Sequence, residues 1–116
     1  MYVAFPTVPA DFSSDGMAEF GSLTEKSKFP VRHTAAQLAA FAAAKVLVEG
    51  LTRAGKDLSR EKLISTLEGL SDYETGVTPR ITFGPTRRVG AAGAYVVSVD
   101  LEKKQFSTTS DWIKAY

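Results

Sequence analysis

Residues 34–55, TAAQLAAFAAAKVLVEGLTRAG, constrain the fold more than any other stretch of the chain. Phe41, Ala44, Leu47, Val48 and Leu51 recur at helical spacing and form one apolar stripe. Lys45, Glu49, Thr52 and Arg53 fall on the opposite face. Lys45 and Glu49, and again Glu49 and Arg53, stand one helical turn apart, and the acid-before-base order of the second pair is the favourable one. Thr34 followed by Gln37 matches a capping box, in which the threonine hydroxyl takes the Gln37 amide proton and the glutamine side chain reaches back. Gly55 supplies the left-handed residue that ends the helix. The small residues between 35 and 44 allow close packing against a sheet or a second helix.

The rest of the chain is organised around this helix. Residues 2–5 are aromatic and β-branched and are stopped by Pro6, which predicts a short strand. A loop follows, in which Ser14 or Asp15 can cap a helix carrying Met17, Phe20 and Leu23 and ending near Ser27. Gly16 and Gly21 weaken that helix. Pro30 breaks the connection to the main helix. Beyond Gly55, Asp57 or Ser59 caps a further helix, with Glu61 in its first turn and Leu63, Ile64, Leu67 and Leu70 on its buried side. Residues 72–79 are rich in turn formers, and 80–83 read as a strand ended by Gly84-Pro85. In residues 94–101, Tyr95, Val97 and Val99 alternate with Val96, Ser98 and Asp100, so one side of this strand is the more buried. Residues 104–108 return as its hairpin partner, and Trp112, Ile113 and Tyr116 form an aromatic tail that docks on the rest.

Composition removes several classes of function. At 116 residues there is room for one domain at most. A net charge of +1, with Lys and Arg scattered among acids, gives no basic face for nucleic acid. The absence of cysteine excludes disulfides, thiolate chemistry and cysteine-based zinc sites. The run at 38–51 comes nearest to a membrane span, but Lys45 and Glu49 interrupt it. The lone histidine, His33, reads as a loop residue before a helix, without the partners of a triad. Ser13, Ser14 and Ser110 sit in no nucleophile elbow. Asp72 and Glu74 read as solvated turn residues rather than an acid and base pair. The glycine-rich loop at 90–93 lacks the spacing of a phosphate cradle. Lys56 and Lys62 are solvated cations at helix ends. The residues therefore point to no catalysis, no cofactor and no metal.

Several motifs occur in a set order. They are AFAAAKVLVEGLTRAG at 40–55, KDLSREKL at 56–63, DYETG at 72–76, FGP at 83–85 and VD at 99–100. This series resembles the C-terminal segment of type I periplasmic solute-binding proteins of the branched-chain amino-acid class. In that family the long helix has the type G-Y-x-A-A-x-V-L-V-E-A-L-x-x-A-G, followed by a K-D-L-T-R-E-K-L helix start, a D-Y-x-T-G turn and a strand ending in F-G-P. The opening YVAFP at 2–6 resembles the strand that re-enters the first lobe through the hinge. The chain departs from the family at Ala40-Phe41, where glycine and tyrosine are common. It departs again at Arg87-Arg88, where asparagine or aspartate and a histidine are often found.

The resemblance implies an α/β chain that is an incomplete piece of a Venus-flytrap fold, with two to three helices followed by a short β-hairpin region. Residues 1–116 would be a single C-terminal fragment, with 1–85 in the first lobe and 86–116 crossing the hinge to a C-terminal hairpin and tail. It implies a non-catalytic, periplasmic substrate-binding component of an ABC importer for amino acids, amides or aromatic acids, with the transporter permease as partner and a signal peptide upstream. Further readings are a cytoplasmic amide-sensing regulator with the same lobes, or a stand-alone protein-interaction module. The resemblance places His33, Thr34, Ala36 and Gln37 at the ligand cleft and Phe5 and Pro6 at the hinge. Without the upstream lobes to cover its apolar faces, the chain is expected to pair as a homodimer or domain-swapped oligomer, crossing at 6–15 and 85–93.

Overall fold

A computed structural model of the chain describes residues 1–9 and 15–115. The expected Ser14 cap and the terminal Tyr116 lie outside the described residues. In order, the elements are β1 (Tyr2–Phe5), α1 (Asp15–Ser27), α2 (Thr34–Ala54), α3 (Arg60–Glu68), β2 (Gly93–Asp100), β3 (Gln105–Thr108) and β4 (Ile113–Lys114). This is the α/β composition expected, with three helices and an antiparallel sheet.

The sheet is organised by β2. It pairs antiparallel with β1, Val3 opposite Val97 and Phe5 opposite Tyr95. It also pairs with β3, Val99 opposite Phe106, and with β4, Ala94 opposite Ile113. Between β3 and β4 the ladder is interrupted. There the Ser110 hydroxyl takes the Val96 amide proton at 3.0 Å, and the Thr109 amide donates to the Val96 carbonyl at 3.0 Å. Directly opposed residues share a face. The register therefore puts Val3, Phe5, Tyr95, Val97, Val99 and Phe106 on one side, and Val97 is fully buried there. The β2–β3 turn lacks Asn-Gly chemistry but is closed by Asp100, whose Oδ1 accepts the Glu102 and Lys103 amide protons at 3.0 Å each. Trp112 docks its ring edge-on against Tyr95, centroids 5.3 Å apart.

The helices pack around a small cluster of Phe20, Leu38, Ala42 and Val77, with Met17 and Phe41 against it. Phe20 and Phe41 meet edge to face at 5.7 Å. The buried side of α2 is not the stripe expected from periodicity. Leu38, Ala42, Gly50 and Ala54 are buried, whereas Leu47, Val48 and Leu51 are 48%, 62% and 37% exposed. Phe41 packs on Phe20, but Leu47, Val48 and Leu51 further along the stripe stay open. The helix also starts differently from the expected capping box. Thr34 is its first residue, His33 is the N-cap and makes no side-chain cap bond, and the Gln37 side chain donates to the Pro30 carbonyl at 2.9 Å instead. Proline cannot donate but leaves a carbonyl free, and that carbonyl captures the glutamine. Lys45 pairs with Glu19 of α1 at 2.7 Å rather than with Glu49, which holds Arg53 at 2.6 Å.

By length and composition α2 is apolar enough to cross a membrane, which corrects the expectation drawn from its two charges. Here it is a packed element of an α/β fold, tied to α1 by Lys45 and to α3 at Gly50. A Cβ at position 50 would lie 2.7 Å from Leu67 Cδ2, so the glycine lets α3 close on α2. Ser59 caps α3 as expected, its hydroxyl accepting the Lys62 amide proton at 3.0 Å.

The DYETG turn is built around buried Thr75. Its Oγ1 accepts the Thr78 amide proton at 3.0 Å and the Val77 amide proton at 3.3 Å. Gly76 has φ +82, and its backbone touches Gly16 so closely that a Cβ at position 16 would overlap it. Gly16 is thus a contact point between α1 and this turn. The Val8 amide donates to the Val77 carbonyl at 3.0 Å and ties the segment after β1 to the same turn. Residues 80–83 do not form the expected strand. Ile81 bridges Tyr73, Gly84 bridges Arg87, and the chain turns between them. A single opposed residue cannot sustain a ladder, and Pro85 ends the extended run.

Candidate functional site

The start of α2 faces the apolar side of the sheet across a cleft of about 430 Å³. Phe5, Val97 and Phe106 form the sheet wall, and Val8 and Pro9 continue it. Arg32 through Ala36 and Leu38 form the helix wall. The geometry follows from the register. Phe5 on β1 and Phe106 on β3 flank β2 on the same face, and their ring centroids lie 5.7 Å apart at 52°. The first turn of α2 presents backbone N–H groups that have no carbonyl one turn earlier to receive them. The cleft thus combines an apolar wall with a polar rim made by Arg32, His33 and Thr34, charged through the Arg32 guanidinium. Its size is that of pockets that take small organic molecules.

His33, Thr34 and Ala36 are brought together at this cleft, and Phe5 joins them. Gln37 is not among the lining residues, because its side chain is turned to Pro30. Pro6 lies elsewhere, beside Thr7, Ala39 and Ala43 in a separate hollow of about 300 Å³. Phe106 and Val97 line the cleft and were not singled out from sequence. The signal existed: Val97 lies on the Tyr95–Val99 side of β2, and the expected hairpin puts Phe106 beside them. Arg32 was likewise passed over as part of a connection.

The other titratable residues considered from sequence are dispersed. Glu74 pairs with Arg80 at 2.6 Å on the surface, and the Asp72 amide donates to the Thr82 hydroxyl at 3.0 Å. Glu68 pairs with Arg88 at 2.7 Å beside a hollow between α2 and α3. Among the described residues, no three of His, Asp and Glu gather as metal ligands would. The Tyr95 phenol is held above its ordinary pKa, first by burial and second by the nearby Asp111 carboxylate.

Residues 1–105 match the periplasmic binding protein family. The chain belongs to that family. Two solved structures share its fold. One is a branched chain amino acid ABC transporter from Thermus thermophilus with bound valine, at TM-score 0.85, 16% identity, 97% of this chain and 33% of that one. The other is a fatty acid ABC transporter substrate-binding protein from Thermomonospora curvata, at TM-score 0.76, 18% identity, 97% of this chain and 30% of that one. This periplasmic binding protein segment therefore spans about a third of the length of the solved structures it matches. No relative of curated function matches it by sequence.

Proposed function

We propose that the chain is part of the substrate-binding component of an ABC importer, and that the cleft between α2 and the sheet is its share of the ligand site. The observation that carries this reading is the meeting of His33, Thr34 and Ala36 with Phe5 and Phe106 around one cavity in a periplasmic binding protein fold. The ligand is a small molecule with a polar head and an apolar body, an amino acid, an amide or an aromatic acid. Its head lies at the Arg32–Thr34 rim and its body against the sheet wall. The valine of one similar structure has that chemistry. The role is binding without turnover, in the periplasm or outside the cell, with delivery to a membrane permease. In this reading residues 1–85 belong with the first lobe, 86–116 cross the hinge, and β1 and Pro6 lie at a hinge passage. Gln37 positions the start of α2 through Pro30.

Calorimetry with leucine, valine, phenylalanine and their amides tests the reading in the two-lobed protein that carries this segment. Micromolar binding that weakens on Thr34→Val is expected. The isolated chain should bind the same ligands far more weakly, because a half-cleft cannot exclude water. Absence of binding in the two-lobed protein, or turnover of any of these compounds, overturns it.

A further inference from the structure

We infer that Phe106, carried by the β2–β3 hairpin, is a specificity-determining residue that receives the apolar part of the ligand. The inference rests on the cleft reading above and goes beyond it. It assigns ligand selectivity to the C-terminal hairpin rather than to the start of α2.

Three observations carry it. Phe106 lines the cleft yet is 49% exposed, although the same face of the sheet holds fully buried Val97. An aromatic ring left half open on the wall of a cavity has one face available for a ligand. Its other side is fixed, because the ring leans on Phe5 with centroids 5.7 Å apart. The backbone that carries the ring is also held in place. Residue 106 is opposite Val99, in a hairpin whose turn is closed by Asp100 and a left-handed Lys104. The two phenylalanines thus make a preorganised apolar wall whose reach is set by a single side chain. A long or aromatic ligand body contacts Phe106. A ligand with no side chain does not.

The test uses the 116-residue chain, labelled at valine, leucine and alanine methyls and at backbone amides, titrated with phenylalanine, leucine and glycine. Phenylalanine and leucine should shift Val8, Val97 and Leu38, and glycine should not. Phe106→Ala should weaken phenylalanine about three- to tenfold, the loss of one aromatic contact. Phe106→Leu should restore most of it. Leu101→Ala, at the exposed hairpin tip, should change nothing. Retained methyl dispersion separates these effects from unfolding. If Phe106→Ala unfolds the chain, Phe106→Leu and Phe106→Tyr carry the comparison through their phenylalanine-to-leucine preference, which should differ between the two. Phenylalanine that binds with His33 and Ala36 amide shifts but is indifferent to every Phe106 variant overturns the assignment and leaves the cleft reading standing. Equal shifts from glycine overturn it too. No shift at either wall with any probe overturns the assignment, and the calorimetry on the two-lobed protein then decides the cleft reading.

Discussion

Gly16 and Gly50 look alike in sequence, single glycines inside helices, yet the structure separates their consequences. A Cβ at position 16 would meet the Gly76 backbone, which cannot move without breaking the Thr75 turn. Gly16→Ala should therefore destabilise the fold by about 1–3 kcal/mol despite its better helix propensity. A Cβ at position 50 would meet only the far ends of Leu67 and Leu63, at 2.7 and 3.2 Å. Side chains of that kind can turn away, and alanine gains about 1 kcal/mol in a helix interior, so Gly50→Ala should fall within about 1 kcal/mol of neutral. Urea denaturation of the two variants checks both. Tyr95 offers a different probe. Its folded-state pKa lies above the ordinary 10.0. The stability it contributes is complete below about pH 10 and is lost as pH rises from there through the folded value. Tyrosinate absorbance should show a Tyr95 step above 10.0 that Tyr95→Phe removes, and Asp111→Asn should bring that step earlier.

Elements whose signals are local were legible. Ser59 sits before a helix and caps it, and Ser59→Ala should cost about 1 kcal/mol in thermal or chemical unfolding. Gly55 ends α2, its amide returning to the Leu51 carbonyl at 3.2 Å. The β2–β3 hairpin was legible from alternation, and Asp100 supplies the turn chemistry its sequence seemed to lack. What failed depended on partners distant in sequence. The α2 stripe was found by its period, but period does not say which layer covers it, and within this chain the smaller side of the helix is the one packed. The capping box failed because Pro30, outside the motif, offered Gln37 a competing carbonyl. Residues 80–83 have strand composition, but only Ile81 finds a bridge. Of the cleft, the helix side was legible through motif resemblance. Arg32 and Phe106 were not, because they reach it only through the connection before α2 and the register of β3.

At the scale of the molecule, the shape is that of a slab, 54 × 38 × 19 Å, with a radius of gyration of 15.9 Å. A compact body of this length would have about 13 Å. A flat body exposes its interior side chains, and Leu47, Val48 and Leu51 are where this happens on α2. Covering them is worth on the order of a few kcal/mol, a large share of the stability of a small domain. We therefore expect the isolated chain to self-associate. Light scattering at micromolar concentration should show dimers or larger species, and Leu47→Lys with Leu51→Lys should shift them towards monomer. A cooperatively folded wild-type monomer would mean that these faces are content in water. The pairing of β1 with β2 has a consequence for synthesis. Tyr2 lies opposite Ser98, so β1 emerges long before the strand it pairs with. While the helices between them can form as they leave the ribosome, β1 must wait for most of the chain to emerge. Its loop closure then becomes a late step, so a ribosome-stalled chain ending before residue 93 should carry ordered helices and an unpaired β1.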